Sequence, residues 1–177
     1  AVLAAYSGYS PAVKKRALQL LLARPAWALQ LFKALDAGKF PKADVTVDQN
    51  TGQIQVTRLV VAQDCGPISN PDGMRNQIEG GALQGISRAL GEEVTWDDRK
   101  ITSVDWSSYH SLTLGFAPPT VDIVLLNQTD VEACGSGETS ITVVAPAIGN
   151  AIFDATGVRL REVPFTPERV LSALRGR

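Results

Sequence analysis

The run Ala133-Cys134-Gly135-Ser136-Gly137-Glu138-Thr139-Ser140 combines residue types that can do chemistry together. A strand-like segment leads into it and a helix-like segment leads out. Glycines let a backbone approach a ligand closely, and the free N–H groups of a new helix favour anions. A phosphate-binding loop would carry a Lys where the phosphates lie; this loop offers Glu138, which repels phosphate. A nucleophilic serine would need a Gly-x-Ser-x-Gly frame. Ser136 lacks that frame, and the single histidine, His110, would have to act as its base. A carboxylate presented by a glycine loop suits a general base. Residue types alone leave a second reading open, in which Glu138 only complements the dipole of the following helix.

A second constellation is Asn76-Gln77-Ile78-Glu79-Gly80-Gly81. Gln77 carries both donor and acceptor and could hold a polar ligand; the alternative is a solvated helix face. Asp64-Cys65-Gly66 could present a reactive thiol, though a buried structural cysteine beside a tight turn is the simpler expectation. Cys65 and Cys134 have no paired spacing, so they give no zinc signature. His110 is expected to be structural or superficial.

These groups need elements to position them. Leu18, Leu21, Leu22, Leu29 and Phe32 recur at helical spacing over residues 11–36, with Pro25 expected to kink or divide the helix. Val45 and Val47, then Ile54, Val56 and Leu59-Val60-Val61, are strand material around a hairpin turn at 48–52. Asn70-Pro71 reads as a helix start, the helix running to about Leu90. Its three glycines, Gly80, Gly81 and Gly85, each cost about 1 kcal/mol relative to Ala, which suggests that something approaches the helix backbone. Residues 93–96 and 100–104 read as a hairpin and 121–126 as a strand. Residues 141–155 read as a helix stopped by Gly157, 158–163 as a short strand, and Thr166-Pro167-Glu168 as the cap of a last helix. The expected fold class is α+β: a two-layer mixed sheet with packed helices, preceded by an N-terminal helical segment.

Composition sets the limits. The 177 residues are 45% hydrophobic and 20% charged, ordinary for a globular chain and too apolar for a disordered one. Seventeen basic and eighteen acidic residues give a net charge of −1, which argues against a nucleic-acid coat. Residues 1–42 hold seven Lys/Arg against one acid, and residues 43–177 hold ten against seventeen. That split of +6 and −7 predicts a basic helical segment over 1–42 and an α+β domain over 43–177. No run of about 18 uncharged apolar residues exists, so no transmembrane helix is expected. The chain opens at Ala1 and its single methionine is Met74, as expected of a processed product or a piece of something longer.

Taken together, Val60-Val61-Ala62-Gln63-Asp64-Cys65-Gly66, Asn70-Pro71, the Gln77 motif, Gly135-Ser136-Gly137-Glu138 and Ala145-Pro146-Ala147-Ile148-Gly149-Asn150-Ala151-Ile152 resemble one family. It is the molybdenum hydroxylases, the xanthine dehydrogenases and aldehyde oxidases, in the C-terminal part of the molybdopterin-binding large subunit. The resemblance covers about residues 43–174. It is greatest to isoquinoline 1-oxidoreductase beta subunits and nicotinate dehydrogenase-like large subunits, which the ending from Phe153 through Val170 also resembles. It implies that Glu138 is the base beside the metal, that Gln77 hydrogen-bonds near the molybdenum centre, and that Gly135, Ser136 and Gly137 line the cofactor. The metal would be held by the pterin rather than by side chains. The implied cofactor is molybdopterin with molybdenum, in the cytosine dinucleotide form, with iron–sulfur clusters on a partner chain. The implied reaction is water-dependent oxidative hydroxylation of an N-heterocycle or aldehyde.

Three departures stand out. The family usually has Pro after the catalytic Glu, where this chain has Thr139. Residues 1–42 do not match the expected upstream region. The first half of the cofactor site, the substrate-binding domain and any iron–sulfur cysteine set are also missing from this sequence. The chain is therefore expected to act only with the remaining molybdopterin-binding chain or domain and an iron–sulfur subunit, residues 1–42 serving for docking. The alternative is a non-catalytic remnant that acts as an interaction module through residues 1–42. Compartment, cytoplasmic or periplasmic, stays open.

Overall fold

The structure, a computed structural model, describes residues 43–176 and the isolated positions 10, 13 and 17. The expected helix over 11–36, its kink at Pro25 and the docking role of residues 1–42 lie outside the described residues. Three strands form one sheet: β1 (Ala43–Val47), β2 (Ile54–Asp64) and β3 (Val121–Leu126), in the order β1-β2-β3. β1 pairs antiparallel with β2 through the hairpin, and β3 pairs parallel with β2, so the sheet is mixed as expected. At the turn, Asp48 Oδ1 accepts from the backbone N–H of Asn50 and Thr51, and Gly52 takes φ +75°.

β2 buries Ile54 and Val56, then changes phase and buries Leu59, Val61 and Gln63. The ladder shows why. Val45 faces Val56 whereas Asp44 faces Arg58, which leaves Thr57 as one extra residue, a β-bulge. The Thr57 hydroxyl donates to the Asp44 carbonyl, 3.0 Å away. Across the other edge, Arg58 donates through Nε and Nη2 to Asp122 Oδ2 at 2.9 and 2.6 Å, stitching β2 to β3.

Three helices complete the described residues: α1 (Pro71–Leu90), α2 (Val144–Thr156) and α3 (Pro167–Arg175). Asn70 caps α1, its side chain accepting from the Gly73 N–H, and Thr166 caps α3 in the same way through the Arg169 N–H. α1 lays Met74, Ile78, Ala82, Ile86 and Ala89 against β2 and β3, a stripe at helical spacing, and α2 covers β1. The core is made by these residues with Val144, Ile148 and Ile152 of α2 and Val170 of α3.

The α1 glycines are explained one by one. A Cβ at Gly85 would lie 2.7 Å from Val144 Cβ, so the crossing with α2 demands Gly there. At Gly81 a Cβ would overlap the hydroxyl of Ser140, which is 1% exposed and has no hydrogen-bond partner among the described residues. Gly80 has nothing within 4 Å of its Cβ position, so packing within the described residues does not account for it.

Two expected elements differ. Residues 93–104 form no hairpin ladder, only a single bridge between Trp96 and Ile101. Trp96 is 73% exposed and Val104 74% exposed; the apolar side chains there have no surface of the described residues to bury against. Residues 158–163 form no strand. They are held by side chains instead: Arg159 donates to Asn150 Oδ1 and stacks on the Phe153 ring, and Arg169 bonds Glu93, Glu162 and the Pro164 carbonyl. α2 starts at Val144 rather than Ile141, because residues 139–141 first make a 3-10 turn.

Candidate active site

The C-terminal end of β2 organises the site. β2 stops at Asp64 because Gly66 turns the chain at φ +77°. A parallel β3 delivers the following loop to the same end of the sheet, and four hydrogen bonds tie the two together. Ile68 N–H donates to Asn127 Oδ1 at 2.8 Å, and Gln128 Nε2 donates to Asp64 Oδ2 at 2.5 Å. Cys134 N–H donates to the Cys65 carbonyl at 2.9 Å. Thr139 Oγ1 donates to Gln63 Oε1 at 3.0 Å. A fifth bond comes from α1, where Gln77 Nε2 donates to the Gly137 carbonyl at 2.5 Å.

The glycine loop is thus fixed at both ends and at Gly137. Between α1 and this loop lies a polar cleft of about 360 Å3. Gln77, Gly80, Gly81, Gln84 and Arg88 line one side, and Gly137, Glu138 and Ile141 the other. Positions 77, 81, 84 and 88 share one helix face at the 3.6-residue period.

Glu138 opens into this cleft. Its carbonyl accepts from Ile141 N–H at 3.2 Å and so starts the 3-10 turn. Its carboxylate makes no hydrogen bond or ion pair among the described residues, and it does not cap that turn. α2 begins six residues later, at Val144, so the carboxylate is not engaged at that helix's first turn. Of the sequence-predicted residues, the fold brings Gln77, Gly137 and Glu138 together. Gly135 and Ser136 sit in the same loop but outside the cleft lining. His110 lines a separate cavity of about 200 Å3 with Leu112, Phe116 and Phe165, near the other end of α1.

Sequence reasoning missed Gln84, Arg88 and Gln63. The first two were findable as the continuation of the Gln77 face. Gln63 was findable as a polar residue in register with buried Leu59 and Val61.

The two cysteines divide sharply. Cys65 is buried beside Met74 Sδ at 3.7 Å; burial pushes its thiol pKa up, with further contributions from the charges of Cys134 and Asp64. Cys134 is exposed. Iodoacetamide at mildly alkaline pH should therefore alkylate Cys134 and spare Cys65 in the folded chain, as read by peptide mass. Equal labelling of both would contradict the burial.

Residues 37–118 match the molybdopterin cofactor-binding domain family. A nicotinate dehydrogenase chain of Pseudomonas putida is 45% identical over 134 residues, which is 76% of this chain and 11% of that protein. The chain belongs to the molybdenum hydroxylase family. Its fold agrees: quinoline 2-oxidoreductase of Pseudomonas putida 86 superposes with a TM-score of 0.68 at 30% identity, over 75% of this chain and 18% of that one. Aldehyde oxidoreductase of Desulfovibrio gigas gives a TM-score of 0.66 at 37% identity, over 75% and 15%. The chain thus spans less than a fifth of each of these molybdenum hydroxylase relatives. It is molybdopterin-binding sequence from the large subunit. No helix among the described residues is long and apolar enough to cross a membrane.

The residues present fit a molybdopterin. Its ring edges need paired donors and acceptors, which Asn76, Gln77 and Gln84 carry at the cleft. Gly80 and Gly137 both line it, each with open space where a Cβ would stand. Gly80→Ala should therefore raise the thermal stability of the isolated chain, by up to about 1 kcal/mol from helix propensity. The same change should lower molybdenum retention in the complete enzyme. Unchanged retention would separate the cleft from the cofactor.

Proposed function

We propose that this chain supplies the base and one wall of the cofactor cradle of a molybdenum-dependent oxidoreductase. The reaction class is water-dependent oxidative hydroxylation of an N-heterocycle or an aldehyde, performed with the rest of the large subunit and an iron–sulfur partner chain. One observation carries the reading: in a loop clamped on both sides, Glu138 lines the polar cleft and its carboxylate has no hydrogen-bond or ion-pair partner among the described residues. The cofactor, in its cytosine dinucleotide form, supplies the two-electron redox chemistry when bound. Glu138 takes the proton that the oxygen nucleophile must lose, at its carboxylate oxygens. Gln77 holds the Gly137 carbonyl through Nε2 and keeps Oε1 for a ligand donor. Gln84 and Asn76 add amides along the same face, and Gly80 and Gly137 let a flat ring approach the backbone.

The relatives' names support the substrate classes: one acts on nicotinate, another on quinoline, a third on an aldehyde. The free carboxylate opposes the alternative of an interaction module, which gives Glu138 and Gln77 no task. The test is molybdenum and released pterin nucleotide, measured per large subunit in the complete enzyme from a cofactor-competent host. Near one equivalent of each is expected. Absence of both from a folded complex would leave Glu138 without a cofactor and favour the interaction module.

A further inference from the structure

We infer that Thr139 and Gln63 form a positioning pair that fixes the direction of the Glu138 carboxylate; this rests on the proposed role of Glu138. Gln63 is 8% exposed, a buried amide in the central strand. Its Oε1 accepts from Thr139 Oγ1 at 3.0 Å, and its Nε2 donates to the Asp64 carbonyl at 3.2 Å. A buried amide left without partners is unfavourable, so this side chain holds its bonds. Gln63 faces Leu125 of β3 in register, inside the six-residue parallel ladder from Leu59 to Asp64, so β3 holds its backbone. Thr139 is the residue directly after Glu138 and is itself exposed. One hydroxyl therefore joins a rigid strand to the backbone one residue beyond the base.

The other restraints do not duplicate it. Cys134 holds the start of the loop and Gln77 holds Gly137, both ahead of Glu138. Past Glu138, Ile141 N–H bonds back to the Glu138 carbonyl, the Thr142 hydroxyl bonds the Thr139 carbonyl and buried Ser140 packs against Gly81; among the described residues only the Thr139 hydroxyl ties this turn to the sheet by a hydrogen bond. Without the Thr139 hydroxyl the peptide after Glu138 loses its hydrogen-bonded tie to the strand and can shift with the turn. A misplacement of about 1 Å in a reacting group can cost on the order of 100-fold in rate.

The test uses the complete enzyme. Thr139→Val keeps the shape and removes the donor; kcat should fall about 10- to 100-fold with KM and molybdenum content little changed. Thr139→Ser restores the hydroxyl and should recover most of that loss. Gln63→Leu should copy Thr139→Val, and the double variant should be no worse than either, because one bond is being removed twice. Hydrogen–deuterium exchange supplies a readout apart from turnover: residues 134–141 should exchange faster in Thr139→Val and not in Thr139→Ser.

A Thr139→Val enzyme with wild-type kcat and wild-type exchange overturns the pair. So does a Thr139→Ser enzyme as impaired as Thr139→Val, since the hydroxyl would then be irrelevant. Glu138→Gln separates the two levels. If it stays active, the base assignment fails and the exchange experiment alone decides the anchor. If it is inactive while Thr139→Val is normal, only the positioning pair fails.

Discussion

Glu138→Gln in the complete enzyme should lower kcat by roughly 100- to 10,000-fold, the usual contribution of a general base. The substitution keeps size and shape and removes only the charge and the proton-accepting oxygen. The carboxylate has no hydrogen-bond or ion-pair partner among the described residues, so its loss breaks nothing structural there. Thermal stability and molybdenum content should therefore match wild type, and the whole effect should fall on turnover. Glu138→Asp keeps the charge but withdraws it by one methylene. Because the backbone around it is clamped at Gly137 and Thr139, the loop does not follow to compensate. Its rate should lie between wild type and Glu138→Gln. A Glu138→Gln enzyme that turns over normally would remove Glu138 from the reaction.

Gly66→Ala should be strongly destabilising even though it lies outside the cleft. Gly66 sits at φ +77°, and a residue with a Cβ loses roughly 1–2 kcal/mol in that conformation. Its Cβ would also lie 2.5 Å from the Glu132 carbonyl oxygen and 3.1 Å from Ala133 Cα. These are backbone atoms, which cannot rotate away, and such overpacking costs about 1–3 kcal/mol. The expected destabilisation is about 2–5 kcal/mol, a fall in Tm on the order of 10 °C. The same push would part Cys134 from Cys65 and loosen the glycine loop at its start. Gly115→Ala is the control: nothing lies within 4 Å of its Cβ position and it has no positive φ. It should shift stability by less than about 0.5 kcal/mol. A thermal melt of the three proteins decides the matter, and equal effects at the two glycines would discard the steric argument.

Local signals explain which parts of this fold were legible. Asn70-Pro71 and the Met74–Ala89 spacing announce α1 because cap chemistry and periodicity are both local. The mixed sheet followed from strand-like runs around an obvious turn. The 93–104 segment departs from expectation because β-forming residues around a turn do not make a ladder without a surface to pack on; Val94, Trp96, Ile101 and Val104 are all exposed among the described residues. The 158–163 segment departs because arginines, not a strand ladder, hold it in place through long side-chain bonds. At the site, Glu138 and Gln77 could be named from motifs. Their meeting could not, because it depends on β3 lying parallel to β2 and delivering the loop under α1. The Thr139–Gln63 bond spans 76 residues of sequence and left no local trace.

The bulge at Thr57 makes the turn at 48–52 a ruler for the chemistry. Gln63 reaches Thr139 only because the chain counts correctly along β2, with one surplus residue absorbed at Thr57. Add one more residue between Val61 and Gln63, and the amide swings to the opposite face of the sheet. Add two, and it keeps its face but slides by roughly 6–7 Å, past the hydroxyl it should meet. In this segment length is therefore constrained more tightly than residue identity. Substitutions that keep alternation and leave Gln63 in place should pass, whereas insertions and deletions should be purged even where the strand would still form.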